Sequence, residues 1–207
     1  MDRVTVLDHP LGATLLSRLR SADTEAEVFR ASTRRLGALL AMEALRAVPA
    51  RPRSVRTPLG EAPGTELEGG IVAVPVLRAG LGLLEPVTTL APEADVGVVG
   101  VRRDEEQLVP LPYVAQLPPL VDATVLVLEP MLATGGSASH ALRLCADAGA
   151  ARLVVVSVVA APEGIARLGE QRPDARVVVA GLDEGLDDNG FIVPGLGDFG
   201  DRLLGTT

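Results

Sequence analysis

Val125-Leu126-Val127-Leu128-Glu129-Pro130-Met131-Leu132-Ala133-Thr134-Gly135-Gly136-Ser137 is the stretch on which the reading of this chain turns. An apolar run reads as a buried strand and ends in a carboxylate. A loop then leads to Thr-Gly-Gly-Ser. A helical pattern follows, with Ala138, Ala141, Leu142, Cys145 and Ala148 on one face and Gly149 as its stop. In that order, strand, glycine turn and helix make an anion site. Gly135 and Gly136 let the backbone approach a phosphate, and the N–H groups that open the helix point at it. Thr134 and Ser137 add hydroxyl donors. Glu129, at the carboxyl end of the strand, stands where open α/β sheets bind ligands. An ordinary strand–turn–helix with a Gly-rich turn is the competing explanation of the spacing alone.

Outward from this segment, short Val-rich runs recur at Ile71–Leu77, Asp95–Val101, Leu153–Val159 and Arg176–Ala180, beside Thr124–Leu128 itself. Near-continuous apolar runs suit a parallel sheet covered on both faces. Segments around 81–91, 136–148 and 163–171 read as helices between them. The alternation predicts a doubly wound α/β fold. Upstream, Thr24-Glu25-Ala26-Glu27 fits a capping box. Val28, Phe29, Leu36, Leu39, Leu40, Met42, Leu45 and Val48 then recur at helical spacing, which predicts a long amphipathic helix ending before Pro49. Residues 49–68 carry four Pro and two Gly and read as an irregular connection or a small hairpin. From Leu182 the chain is rich in Gly and Asp, and little regular structure is expected. A length of 207 residues suits a single domain over 1–207.

Two further segments could carry chemistry. Val74-Pro75-Val76-Leu77-Arg78-Ala79-Gly80 repeats the strand-then-small-turn design and puts an Arg at the strand end. Arg102-Arg103-Asp104-Glu105-Glu106 follows a third strand. It reads as a solvated charge run or as a loop that closes over an anion. Gly195-Leu196-Gly197-Asp198-Phe199-Gly200 matches the dinucleotide fingerprint as a string, but no good strand precedes it and only seven residues follow. That leaves a backbone-rich loop able to hydrogen-bond a planar ligand. His9 before Pro10 reads as structural, His140 as solvated and Cys145 as inert core. Asp183-Glu184 and Asp187-Asp188-Asn189-Gly190 lack the spacing of a calcium loop and read as polar turns.

Composition narrows the classes of function. The chain is 47% hydrophobic, enough for a sizeable core. Its net charge of −8 argues against a general nucleic-acid or anionic-membrane partner. All 19 basic residues are Arg, which removes Schiff-base chemistry and a phosphate-gripping Lys. With three Phe, one Tyr and no Trp, stacking platforms for single strands are not expected. One Cys and two His exclude an internal disulfide framework and a multi-His metal centre. Met1-Asp2-Arg3-Val4 shows no signal peptide, and the longest apolar stretch, Leu153 to Pro162, is too short to span a bilayer. A cytoplasmic protein is expected.

Together, Leu77-Arg78-Ala79-Gly80-Leu81-Gly82, Arg103-Asp104-Glu105-Glu106, Pro130 to Ser137, and Pro194-Gly195-Leu196-Gly197-Asp198-Phe199-Gly200-Asp201-Arg202 resemble the uracil phosphoribosyltransferase family. Val6-Leu7-Asp8-His9-Pro10-Leu11 and Leu182-Asp183-Glu184-Gly185-Leu186 extend the resemblance over nearly the whole chain. The resemblance implies a type I phosphoribosyltransferase fold, a central parallel sheet flanked by helices. A small hood would be built from the N-terminal and C-terminal segments. It implies transfer of phosphoribose from 5-phosphoribosyl 1-diphosphate (PRPP) to uracil in pyrimidine salvage, giving UMP and diphosphate. Magnesium (Mg2+) would be held mainly through PRPP rather than by the protein directly. By matching motif, Arg78, Arg103 and Asp198 are the expected catalytic residues, with Arg78 and Arg103 on the diphosphate. Glu129, Pro130, Met131, Leu132, Ala133, Thr134, Gly135, Gly136 and Ser137 would hold the ribose 5-phosphate. Ile192, Gly197, Asp198 and Phe199 would hold uracil, and Asp198 would also contact PRPP. A homodimer or homotetramer and a GTP effector are further implications. Three positions depart from the family pattern: Glu129 where Asp is expected, and Arg102 and Phe191 where Tyr is expected. The rival readings are a relative that uses another nucleobase and a non-catalytic regulator that senses UMP or PRPP. Such a regulator calls for a basic RNA-binding face, which a pI of about 4.8 disfavours.

Overall fold

The computed structural model describes residues 3–103 and 110–206. In chain order its elements are β1 (Val4–Val6), α1 (Pro10–Arg20), α2 (Ala26–Ala44), a 3-10 turn (Leu45–Ala47), β2 (Ala50–Thr57), β3 (Gly60–Leu67), β4 (Ile71–Leu77), α3 (Leu81–Leu90), β5 (Asp95–Val96), β6 (Val98–Arg103) and β7 (Pro110–Gln116). There follow β8 (Thr124–Leu128), β9 (Met131–Leu132), α4 (Gly136–Asp147), β10 (Arg152–Ala160), α5 (Pro162–Gln171), β11 (Arg176–Leu182), β12 (Gly185–Leu186), β13 (Ile192–Val193) and α6 (Phe199–Leu204).

The central sheet runs β1-β11-β10-β8-β4-β6-β7, with short β5 and β9 added beside β4 and β10. Every pairing is parallel except β6 with β7. Strand side chains alternate between the two faces, and each face here carries its own core. Leu126, Leu128, Val154, Val156 and Val158 face one way and pack with Leu15, Leu19, Phe29, Leu36, Leu40 and Phe199. Val125, Val127, Val155, Val177 and Val179 face the other way, against Ala138, Leu142, Cys145 and Leu168. Helices α1, α2, α3 and α6 thus cover one face, and α4 and α5 cover the other. Gly37 permits the closest part of the α2–α3 contact, since a Cβ there would stand 2.8 Å from Pro86 Cγ. Strands β2 and β3 form a separate antiparallel ribbon, the hairpin alternative for residues 49–68.

Several expectations need correction. Helix α2 begins at Ala26 with Glu25 as its cap and without a side-chain capping bond. Thr24 does not cap it, because its hydroxyl donates instead to Arg18 O at 2.6 Å. Val28 and Met42 share the helical period but are 47% and 60% exposed. Ala148 is exposed rather than part of the buried face of α4. The expected strand Asp95–Val101 is broken at Gly97, whose amide donates to Ala73 O, and its second part runs on to Arg103. Residues 10–20, to which the sequence reading assigns no element, form α1. Pro10 sits at its first position and His9 Nδ1 accepts from Leu11 N at 3.1 Å. Beyond Leu182 regular structure is sparse, as expected, and amounts to the short β12–β13 pair and the short α6. Among the described residues no helix is long and apolar enough to cross a membrane.

Candidate active site

Connectivity sets the place of the site. From β4 the chain moves to β6 on one side, then crosses to β8 on the other side of β4. The carboxyl ends of β4 and β8 therefore flank a topological switch point, where open α/β sheets hold ligands. Strand β4 delivers Arg78 there and β8 delivers Glu129. Two hollows open at this edge. The larger, of about 360 Å³, is walled by Val76, Leu77, Ala79, Val101, Glu129, Met131, Ala133 and Ser137 on the sheet side. Its other wall is Gly190, Phe191, Ile192, Gly197, Asp198, Phe199 and Gly200. The smaller, of about 160 Å³, lies in the β8–α4 turn and is lined by Glu129 and by residues 131–138. Glu129, Met131, Ala133 and Ser137 line both, so the two hollows adjoin.

The small hollow is a backbone device. Gly135 caps α4 in the left-handed region, at φ 74°. A Cβ at that position would stand 3.0 Å from Gly164 O, so α5 backs the turn closely. The first N–H groups of a helix have no partner within it, and here they open onto the hollow. Glu129 is 9% exposed. Its amide donates to Val156 O at 3.1 Å and its carbonyl accepts the Ser157 hydroxyl at 2.6 Å, which pins the start of its side chain to β10. Pro130 lines neither hollow. Its carbonyl accepts from the amides of Val158 and Val159, at 2.9 and 3.1 Å, and so fastens the loop to the sheet. After β4, Gly80 allows a close backbone approach: its amide donates to Val76 O at 2.8 Å, and a Cβ there would collide with Leu128 O and Val76 N.

The other expected residues are distributed around these hollows. Arg78 follows Leu77 and precedes Ala79 of the larger hollow's wall but lines neither hollow; it is more than half exposed, with its guanidinium 3.3 Å from Asp201 Oδ1. Asp198 caps α6, its Oδ1 accepting from Asp201 N at 2.9 Å, while it also lines the larger hollow. Arg103 ends β6, and its side chain, like Arg102's and all of Asp104, Glu105 and Glu106, lies outside the described residues.

A family model for uracil phosphoribosyltransferase matches residues 6–206. A uracil phosphoribosyltransferase of Kocuria rhizophila is 49% identical over 207 residues, with 98% of each chain covered. The chain belongs to the uracil phosphoribosyltransferase family. A solved structure from Aquifex aeolicus superposes with a TM-score of 0.91 at 40% identity over 97% of both chains. A hypoxanthine-guanine phosphoribosyltransferase structure from Bacillus anthracis shares the fold at 10% identity, with a TM-score of 0.51 over 88% of this chain and 83% of that one. The protein is accordingly a phosphoribosyltransferase enzyme that acts on uracil.

Within this member of the uracil phosphoribosyltransferase family, Phe191 is half-exposed on the wall of the larger hollow. Val76, Val101, Gly190 and Gly200 also line that hollow and escaped the reading of the sequence. For Val76 and Val101 the pattern held a usable clue, since both stand near the carboxyl ends of their strands. The histidines and the cysteine take no part in lining either hollow. His140 Nδ1 lies 3.0 Å from Arg143 Nη2, and burial, then the Arg143 charge, lowers its pKa below the usual 6.5. Burial pushes the Cys145 thiol up to about 12, against a smaller opposing effect of Arg172. A thiol so shifted is not a nucleophile at neutral pH.

Proposed function

We propose that the two adjoining hollows divide the substrates between them. Residues Glu129 to Ser137 hold the ribose 5-phosphate of PRPP, with the amides of the β8–α4 turn on the phosphate. Ile192, Gly197, Asp198 and Phe199 hold uracil in the larger hollow, and Arg78 and Arg103 meet the diphosphate at the rim. The observation that carries this reading is that Glu129 lines both hollows. A carboxylate there accepts hydrogen bonds from the ribose hydroxyls at the junction, next to the carbon that changes partner. No nucleophilic side chain is needed. The reaction calls for two anion clamps and a diphosphate whose charge is met as it leaves, while the ribose gains oxocarbenium character.

Magnesium fits this site as a passenger of PRPP. Among the described residues no group of three or more His, Cys, Asp or Glu side chains stands close enough to hold a metal. Glu129 and Asp198 are the carboxylates on the hollows, and they would help hold a PRPP-bound ion through water. When bound, the ion neutralises the diphosphate. Parent enzyme given uracil, PRPP and magnesium should form UMP, and chelation of the metal should stop it. Undiminished UMP formation in excess chelator removes the ion from this scheme.

The N-terminal and C-terminal segments form the hood over the ligands in one domain of 1–207. The β2–β3 ribbon, with Val55, Leu59 and Leu67 exposed, suits a homodimer or homotetramer contact. Light scattering with and without substrates tests this. A cytoplasmic location and a GTP effector complete the reading. The effector is tested by UMP formation at sub-saturating PRPP with and without GTP.

A further inference from the structure

Residues 194–198 belong to no helix or strand, yet Gly197 and Asp198 wall the larger hollow. Ladder bonds do not hold this loop. Two arginines and one aspartate outside the loop do, one of them, Arg20, from the other end of the chain. Arg20, the last residue of α1, donates to both carboxylate oxygens of Asp183, through Nη1 at 2.8 Å and through Nη2. Its Nη1 also donates to Gly195 O at 2.8 Å. Asp183 Oδ2 accepts from Gly195 N at 2.9 Å. Both backbone groups of Gly195 are thus held by one ion pair, whose carboxylate partner is 8% exposed. Arg202 makes the second fastening. Its Nη1 donates to Leu196 O at 2.6 Å and to Leu19 O at 2.5 Å, and its Nη2 donates to Ser21 O at 2.6 Å. The same guanidinium lies 4.5 Å from the centre of the Phe29 ring. Phe29 meets Phe199 edge-on with ring centres 5.3 Å apart, and Phe199 lines the hollow.

From this geometry we infer that Arg20, Asp183 and Arg202 are positioning residues for base recognition, clamping the 194–198 loop to the end of α1. The inference rests on the assignment of Ile192 and Gly197 to Phe199 to uracil. A loop that reads a base with peptide groups discriminates only while those groups keep their orientation. Freed peptides rotate and present a donor where an acceptor is needed. A clamp of charged groups on backbone atoms prevents this, and the planar guanidinium fork can hold two or three oxygens at once.

The test is steady-state kinetics on Asp183→Asn, Arg20→Lys, Arg202→Met and Arg202→Lys, varying uracil and PRPP separately. Loss of a charge-assisted contact should raise the KM for uracil about 10- to 100-fold. The KM for PRPP should rise far less than the KM for uracil, because the phosphate turn is built from other elements and only Asp198 of the loop is expected to meet PRPP. A purely structural role would lower the amount of active enzyme, and with it kcat, without moving the KM for uracil. Arg202→Lys keeps the charge without the fork and should fall between the parent and Arg202→Met. Gly197→Val is assayed in parallel as a direct lesion of the proposed base wall. If it raises the KM for uracil while the folded clamp variants do not, the clamp is overturned and the base assignment stands. If neither does, the base assignment fails and the clamp with it.

Discussion

The proposed phosphate turn and the proposed base loop wall two adjoining hollows and are built in opposite ways. The turn from Glu129 to Ser137 is continuous in sequence and leads from a fully buried strand straight into a helix. Its shape follows from local rules: a strand end, a left-handed glycine, and amides at a helix start. The loop from Pro194 to Asp198 has no such frame and depends on side chains outside it: Arg202 just after it, Asp183 twelve residues before Gly195, and Arg20 at the other end of the chain. A local frame tolerates change elsewhere in the chain. A loop fastened from afar is adjustable, and it is open to damage at residues that never touch the substrate.

The sharpest way to break the comparison is to change the base. On the proposed assignment, peptide N–H and C=O groups at the loop would match the O4 acceptor and N3 donor of uracil. Cytosine offers a donor at position 4 and an acceptor at N3, so both matches become mismatches. Unpaired buried polar groups make such discrimination about 10⁴-fold. Measured kcat/KM values for the two bases decide it. Comparable rates with cytosine would mean that the loop does not read the base through its backbone.

The next largest effect is expected in the turn. Gly136→Val puts a branched side chain where backbone meets phosphate, and should lower kcat/KM for PRPP by about 10³-fold, in the range seen when a preorganised anion donor is lost. Circular dichroism should remain that of the parent. If the variant binds ribose 5-phosphate as the parent does, the phosphate has been put in the wrong hollow.

Glu129 joins the two walls and should show an intermediate effect. Glu129→Gln keeps the size and removes the charge, and should cost about 10- to 100-fold in kcat/KM, as for one charge-assisted contact. Glu129→Asp withdraws the carboxylate by one methylene and should also lower activity, because Glu129 already lines both hollows with its backbone fixed to β10. An Asp variant faster than the parent would show that the longer side chain is a defect. A fully active Gln variant would remove the carboxylate from the ribose.

The same contrast explains what was legible in the sequence. Ile71–Leu77 and Thr124–Leu128 are buried on both faces, so they read as unbroken apolar runs and their expected bounds agree with the structure. The Gly135-Gly136 turn was legible because its chemistry is contiguous. Helix α1 was not, since its cap is His9 rather than one of the short oxygen-bearing side chains that announce a helix start. Val28 and Met42 kept the period of α2 but fall where no other element covers it, which periodicity alone does not tell. Asp183 read as part of a polar turn, because its partners Arg20 and Gly195 are brought to it only by the folded sheet.

The smallest expected effect separates the two ends of α1, and so sharpens the claim that the loop is fastened by particular residues. His9 caps the start of α1 through Nδ1, on an exposed surface, ten residues or more from the atoms that hold the base loop. Of that clamp, the atoms that α1 and its cap supply all belong to the far end: Leu19 O and Ser21 O, which hold Arg202, and the Arg20 guanidinium. His9→Ala should therefore fray the first turn and lower stability by about 0.5–1 kcal/mol, as loss of a cap does. For a chain of this size that is a Tm shift of roughly 1–4 °C. The far end of α1 is anchored independently by Leu15, Leu16 and Leu19 in the core, so it should not follow the fraying. The KM for uracil should stay at the parent value, in contrast to the clamp variants. If His9→Ala raises that KM as much as Asp183→Asn does, the whole helix rather than its last turn sets the loop, and the distinction between a locally framed wall and a remotely fastened one must be redrawn around α1.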